Sequence, residues 1–171
     1  MALKPDRKIL DGTDISFFMN TVTERGGVVV LSAGGSGCAM DDASAVAAKP
    51  TAAYASGQYV LGILMNDVVS GDLTKFHLNS QKDEVQVGGK VTILRRGTVL
   101  TNMLDSSVTP GQGAFAGASS DGKMIGLSIG STTLASQHSG LEPTNPQFTR
   151  IGTWLSYKDS DGYAKLDVNL I

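Results

Sequence analysis

Residues 150–170 read Arg150-Ile-Gly-Thr-Trp-Leu-Ser-Tyr-Lys-Asp-Ser-Asp-Gly-Tyr-Ala-Lys-Leu-Asp-Val-Asn-Leu170, and this stretch decides the class of fold. In its second half Leu166, Val168 and Leu170 alternate with Lys165, Asp167 and Asn169. That period of two places apolar side chains on one face of a strand and polar ones on the other. Just before it, Asp159-Ser160-Asp161-Gly162 is a tight turn, with the glycine supplying the positive φ that a hairpin requires. The arms, 151–158 and 163–170, make a closing β-hairpin.

Further strands are read outward from this hairpin. The runs 59–69 (YVLGILMNDVV), 90–96 (KVTILRR), 97–101, 124–129 and 150–157 are apolar or alternating, and Asn, Asp, Ser and Gly separate them. Val28-Val-Val-Leu-Ser32 is a shorter β-branched run between glycine pairs. Glycine accounts for 21 of the 171 residues while proline contributes 5. Against a usual glycine share of about 7 %, that excess indicates turns between strands rather than disorder. The glycines mark turns at 26–27, 34–37, 88–89, 97, 122 and 162. The expected fold is mainly β, a small β-barrel or β-sandwich with an N-terminal arm and one or two short helices.

The helices are read from spacing and composition. Ile15, Phe18, Met19 and Val22 fall at i, i+3, i+4 and i+7, with Asp14 as a cap and Gly26-Gly27 as the stop. The stretch 41–50 opens on Asp41-Asp42, runs through alanines and ends at Lys49-Pro50, which predicts a second short helix. Charge is dense over residues 1–25, where Phe17, Phe18 and Met19 also form the densest cluster of large apolar side chains. The chain therefore divides into 1–25, an arm that is helical or partner-contacting, and 26–171, a single β-rich domain. The stretch 97–147 is nearly free of charge and rich in Gly, Ser, Thr and Ala. It reads as loops and short strands, too polar for a core and suited to a partner surface.

Composition removes several classes of function. A formal net charge of −2 with 18 % charged residues does not fit a protein that grips bare nucleic acid, which needs clustered Lys and Arg. The single cysteine, Cys38, rules out an internal disulfide framework and fits a reducing compartment. Two histidines and one cysteine do not build a structural zinc site. The longest apolar run, 60–65, is far short of the roughly 20 residues that span a bilayer. Residues 1–8 are basic, but no apolar signal core follows. The expectation is a soluble chain made in the cytoplasm, with no nucleic-acid or membrane partner.

Stretches that imitate catalytic motifs fail on their chemistry. Gly117–Met124 has the spacing of a phosphate loop, but Met124 stands where a magnesium-binding hydroxyl belongs. A hairpin turn at Ser120-Asp121-Gly122 accounts for it. The glycines of 111–117 are one residue too widely spaced for a dinucleotide fingerprint. Ser36 lacks the second glycine of a nucleophile elbow, because Cys38 occupies that position. Nothing local pairs Cys38 with His77 or His138 as a base. Asp159 and Asp161 resemble the start of a calcium loop without its remaining ligands. Asp41-Asp42 and Asp83-Glu84 are adjacent carboxylates, which on a strand point apart, and Arg95-Arg96 lacks interleaved aromatics. The chain is accordingly expected not to be an enzyme, with no catalytic residue, cofactor or metal ligand.

Longer blocks carry a resemblance. They are 8–19 (KILDGTDISFFM) with 26–32 (GGVVVLS), 60–69 (VLGILMNDVV), and 82–97 (KDEVQVGGKVTILRRG) with Thr101-Asn102 and Thr109-Pro-Gly111. The last are 150–156 (RIGTWLS) and 159–168 (DSDGYAKLDV). Together they resemble the capsid decoration, or cement, proteins of tailed bacteriophages. The resemblance implies a β-rich virion protein that adds to the outside of an expanded icosahedral shell, often as a trimer at local three-fold positions. Its partner would be the major capsid protein, whose neighbouring subunits it would clamp. Ile9, Leu10, Ile15, Phe17 and Phe18 would be the partner-binding residues of the arm; the alternative is that this segment completes the barrel. The rival reading is a receptor- or carbohydrate-binding β-module of a virion fibre or spike. Such a module needs exposed aromatics, whereas Trp154 and Tyr157 lie in a strand expected to face the core in part.

Overall fold

The computed structural model describes residues 3–4, 12–32, 46–52, 55, 57–68, 84–85, 87–119, 121–128 and 149–170. Among them twelve strands follow in order: β1 (Leu3–Lys4), β2 (Gly12–Met19), β3 (Thr23–Glu24), β4 (Val28–Leu31), β5 (Val46–Ala48) and β6 (Val60–Val68). Then come β7 (Glu84–Val85), β8 (Lys90–Thr101), β9 (Gly113–Ala116), β10 (Met124–Leu127), β11 (Gly152–Trp154) and β12 (Ala164–Asn169). The described residues hold no α-helix.

The twelve residues of β8 organise the sheet. Along one edge its first half pairs with β2, through Asp14↔Ile93, Phe17↔Val91 and Phe18↔Lys90. Along the other edge it pairs with β6, through Ile63↔Leu94 and Leu64↔Ile93. β2 runs parallel to β5, β5 antiparallel to β4, and β4 antiparallel to β6. The ring β8-β2-β5-β4-β6 is thus a closed five-stranded barrel. From Arg96 onward β8 pairs with β12, from Asn169↔Arg96 to Ala164↔Thr101, while β1 lies on its opposite edge. Through β12 the sheet continues to β11, β9 and β10. One long strand therefore belongs to a barrel and to a second sheet.

Two cores follow from this arrangement. Met19, Val29, Ala47, Leu61, Leu64, Val91 and Ile93 form one cluster, and together they come from every strand of the ring. That is the barrel interior. Val28, Val30, Val60, Ile63 and Leu94, at intervening positions of the same strands, join Val99, Ala114, Met124, Trp154, Leu166 and Val168 in a larger cluster. That core lies between the outside of the barrel wall and the second sheet. β4 is consequently apolar on both faces, which is why three consecutive valines appear where a half-exposed strand would alternate. Trp154 is completely buried, and its indole N–H donates to the Ile125 carbonyl at 3.4 Å.

Glycine is required where strands change partner or crowd. Gly62 in β6 has φ 154, and a Cβ there would sit 2.3 Å from the Leu94 carbonyl oxygen and 2.7 Å from Ile93 Cγ2. Gly97, with φ 140, lies inside β8 just past Arg96, where the strand turns from β6 to β12. The turn expected at 97 is thus a bend within one strand.

The closing hairpin is as read from its alternation. β11 and β12 pair antiparallel through Gly152↔Val168, Thr153↔Asp167 and Trp154↔Leu166, with Gly162 at φ 90 in the turn. β9 and β10 likewise form a hairpin over the stretch that imitates a phosphate loop. Three expectations are corrected. First, the helix over 14–25 is absent: 12–19 is strand β2, whose alternation is masked by register shifts after Gly12 and between Asp14 and Phe17. Its apparent helical spacing is a product of those irregularities, and pairing with β8 and β5 overrides it. Second, 46–48 of the second expected helix is strand β5, buried throughout. Alanine's helix preference yields to pairing with β2 on one edge and β4 on the other; 41–45 lies outside the described residues. Third, the described part of the low-charge stretch 97–147, residues 97–119 and 121–128, is not too polar for a core. Val99, Met103, Leu104, Val108, Ala114, Ala116 and Met124 all belong to the larger cluster.

Comparing two glycine variants tests the ring closure. Gly57 also has positive φ, at 71, but nothing lies within 4 Å of a Cβ built on it. Gly57→Ala meets conformational strain alone, about 1 kcal/mol, whereas Gly62→Ala adds a backbone clash and costs about 3 kcal/mol. Urea unfolding of both variants measures the difference; equal losses would contradict the close β6–β8 approach.

Candidate functional site

Of the residues expected to touch a partner, Phe17 and Phe18 are the two whose side chains the structure describes. Ile9 and Leu10 lie outside the described residues, and Ile15 is placed only by its backbone in β2. Phe17 and Phe18 sit on opposite faces of that strand. Phe17 packs against the barrel interior, so most of its ring serves the fold. Phe18 is half-buried on the other face, and the Lys90 ammonium lies 5.8 Å from its ring centroid. Cys38, Ser36, His77 and His138 lie outside the described residues. Tyr157, expected to face the core in part, is 66 % exposed.

A cleft of about 430 Å³ opens where the end of β4, the end of β5 and the loop before β6 meet. Val30 and Ala48, both buried, belong to its lining, together with Leu31, Ser32, Thr51, Gly57, Gln58 and Tyr59. The loop is held by Gln58, whose Oε1 accepts from the backbone N–H of Thr51 at 3.0 Å and of Ala52 at 3.3 Å. The Gln58 amide nitrogen donates to Thr51 Oγ1 at 2.8 Å. Backbone bonds from Ala55 N–H to Ala52 O and from Gln58 N–H to Ala55 O tighten the same turn. At the other wall Leu31 N–H donates to the Tyr59 carbonyl at 2.8 Å, setting two large exposed side chains on neighbouring strands. The Arg95 guanidinium, from β8, donates to the Tyr59 hydroxyl at 3.3 Å.

Two polar turns that imitate binding motifs spend their side chains on their own backbone. Asp159 Oδ1 accepts from the N–H groups of Asp161 and Tyr163, which shapes the hairpin turn. Asp121 Oδ1 accepts from Lys123 N–H, and its other oxygen meets the Lys123 ammonium at 3.1 Å. Partial burial alone would raise the Asp121 pKa. The hydrogen bonds from the Lys123 backbone and side chain and from Ser119, with the ammonium charge, outweigh it and hold the carboxyl below its ordinary range. The same hydrogen bond and charge raise the Lys123 ammonium. The Ser119 hydroxyl also lies 3.2 Å from Asp105 Oδ2, so the two carboxylates share its single proton. No family model and no curated protein matches this chain.

Sequence reading missed the cleft. Its residues come from three separated segments, and none carries a motif. The one legible sign is Gly57-Gln58-Tyr59 at the mouth of a strand: a turn, a side chain able to bridge backbone groups, and an aromatic at the strand's edge.

A pH-resolved comparison checks the Asp121 interaction. Its folded pKa is depressed, so its stabilisation is present above the unfolded carboxylate pKa and disappears as pH falls through the folded value. Both partners are 40 % exposed and screened by solvent. Asp121→Asn is therefore expected to lose only about 0.5 kcal/mol at neutral pH. Denaturation midpoints should converge with wild type in acid; a deficit that persists at low pH would contradict the assignment.

Proposed function

We propose that this protein is a structural virion component that binds the outer surface of an icosahedral phage capsid and stabilises the shell by bridging major capsid subunits. The observation that carries the reading is where the resembling blocks fall. The blocks 8–19, 26–32, 60–69 and 82–97 contain β2, β4, β6 and the barrel half of β8, and so touch four of the five barrel strands. The blocks 150–156 and 159–168 contain β11 and most of β12, the closing hairpin. The likeness thus lies in the frame that would present contact surfaces.

The physical properties of that frame support the same reading. A closed barrel with β4 and β5 buried on both faces is stiff, as a clamp between subunits needs to be. Val22, Leu31, Tyr59, Val87, Leu155 and Tyr157 remain exposed at loops and strand ends, apolar contact points of the kind that reward docking on another protein. Many copies on one shell turn modest contacts into lasting occupancy, and a trimer centred on a three-fold position multiplies them again. A net charge of −2 suits an exterior position, away from packaged DNA.

Because β2 is a barrel strand, the segment to remove in a test is 1–11, which spares it. Full-length chain mixed with expanded capsid shells should co-sediment to saturation. It should also raise the temperature at which the shells break open. The 1–11 deletion should fold but occupy fewer sites. A chain that stays in the supernatant and leaves shell stability unchanged would overturn the proposal.

A further inference from the structure

We propose that the cleft between β4, β5 and β6 is a binding site for a sugar ring that carries a carboxylate. The inference does not depend on the protein sitting on a shell. At about 430 Å³ the cleft falls within the roughly 300–1,000 Å³ of small-ligand sites. Its geometry is set before any ligand arrives, because Gln58 closes the 51–58 loop with three hydrogen bonds and Tyr59 is tethered to Arg95. Preorganisation of this kind lowers the ordering cost of binding.

The chemistry of the lining selects the ligand. Tyr59 keeps 58 % of its surface exposed, a large aromatic area placed where a strand enters the barrel. Leu31 stands beside it, 44 % exposed. An aromatic face next to an aliphatic one suits the C–H face of a pyranose, which is apolar although its rim is polar. The polar groups are biased toward donors. Tyr59 Oη accepts from Arg95, which leaves its own proton to give. Thr51 Oγ1 accepts from Gln58, which leaves its hydroxyl proton too, and the Gln58 amide has a second N–H. The Arg95 guanidinium has five N–H donors, one of them spent on Tyr59. Among the described residues no Asp or Glu lines the cleft. The described lining is donor-rich, and the Arg95 guanidinium stands beside it on Tyr59, which suits a ligand that brings acceptors and negative charge. The guanidinium pairs well with a carboxylate.

The test is a ¹H–¹⁵N NMR titration of the full chain with galacturonate, galactose and acetate in parallel. Galacturonate should shift the amides of Leu31, Ser32, Gly57, Gln58 and Tyr59 saturably in the millimolar range. Galactose and acetate, each lacking one half of the recognised chemistry, should bind at least about tenfold more weakly. Tyr59→Ala should weaken galacturonate binding about tenfold or more. Arg95→Gln should erase the preference for galacturonate over galactose. Tyr157→Ala, which removes an exposed tyrosine outside the cleft, should change neither, and the spectrum of each variant reports its folding directly. Absence of saturable shifts with galacturonate, equal affinity for acetate or galactose, or indifference to Tyr59→Ala would each overturn the proposal.

Discussion

The structure depends on the double pairing of β8. Its first half completes a ring by hydrogen bonding to β2 on one edge and β6 on the other. Its second half carries β12 and so the whole second sheet. A closed ring leaves no strand edge within the barrel open to another chain. Closure also fixes how nearly the wall strands approach, and Gly62 marks a tight point between β6 and β8, with the Leu94 carbonyl where a side chain would begin. Without the β6–β8 contact, Val28, Val30, Val60 and Ile63 would have no continuous wall to stand on, and the larger core would lose one of its two sides.

The composition follows from the same constraint. Strands buried on both faces need apolar residues at consecutive positions, so the barrel wall is dense in Val, Ile and Leu while the chain as a whole is only 41 % hydrophobic. In the second sheet the core-facing positions of β9 are the small Ala114 and Ala116, which share the larger core with the Trp154 indole. Low charge across 97–128 is thus first a packing property. Exposed apolar side chains are left at loops and strand ends, where a partner or ligand can reach them.

Sequence patterning revealed the parts whose pairing is local. The closing hairpin was legible because Leu166, Val168 and Leu170 alternate without interruption and Gly162 sits at the turn. The β9–β10 hairpin was legible from Ser120-Asp121-Gly122. Strand β2 was hidden by bulges that shift its alternation into a helix-like spacing, and β5 by alanines whose local preference pairing with β2 and β4 overrides. The bend at Gly97 read as an end because a change of partner within one strand leaves the same mark as a turn. Of the residues expected to bind a partner, Phe17 packs against the barrel interior, which sequence offered only as the alternative because the pairing of β2 with β8 is long-range. The cleft around Tyr59 was illegible for a related reason: Leu31, Ala48 and Tyr59 meet only after the ring has closed.

The central claim, that this frame exists to sit on a capsid, is tested most directly by cryo-electron microscopy of particles assembled with the full chain. The account predicts density on the outside of the shell at local three-fold positions, into which three copies of the barrel and its second sheet fit while contacting neighbouring capsid subunits. Particles that carry the chain on a tail or fibre, or whose outer shell surface is bare when the chain is present in excess, would contradict it.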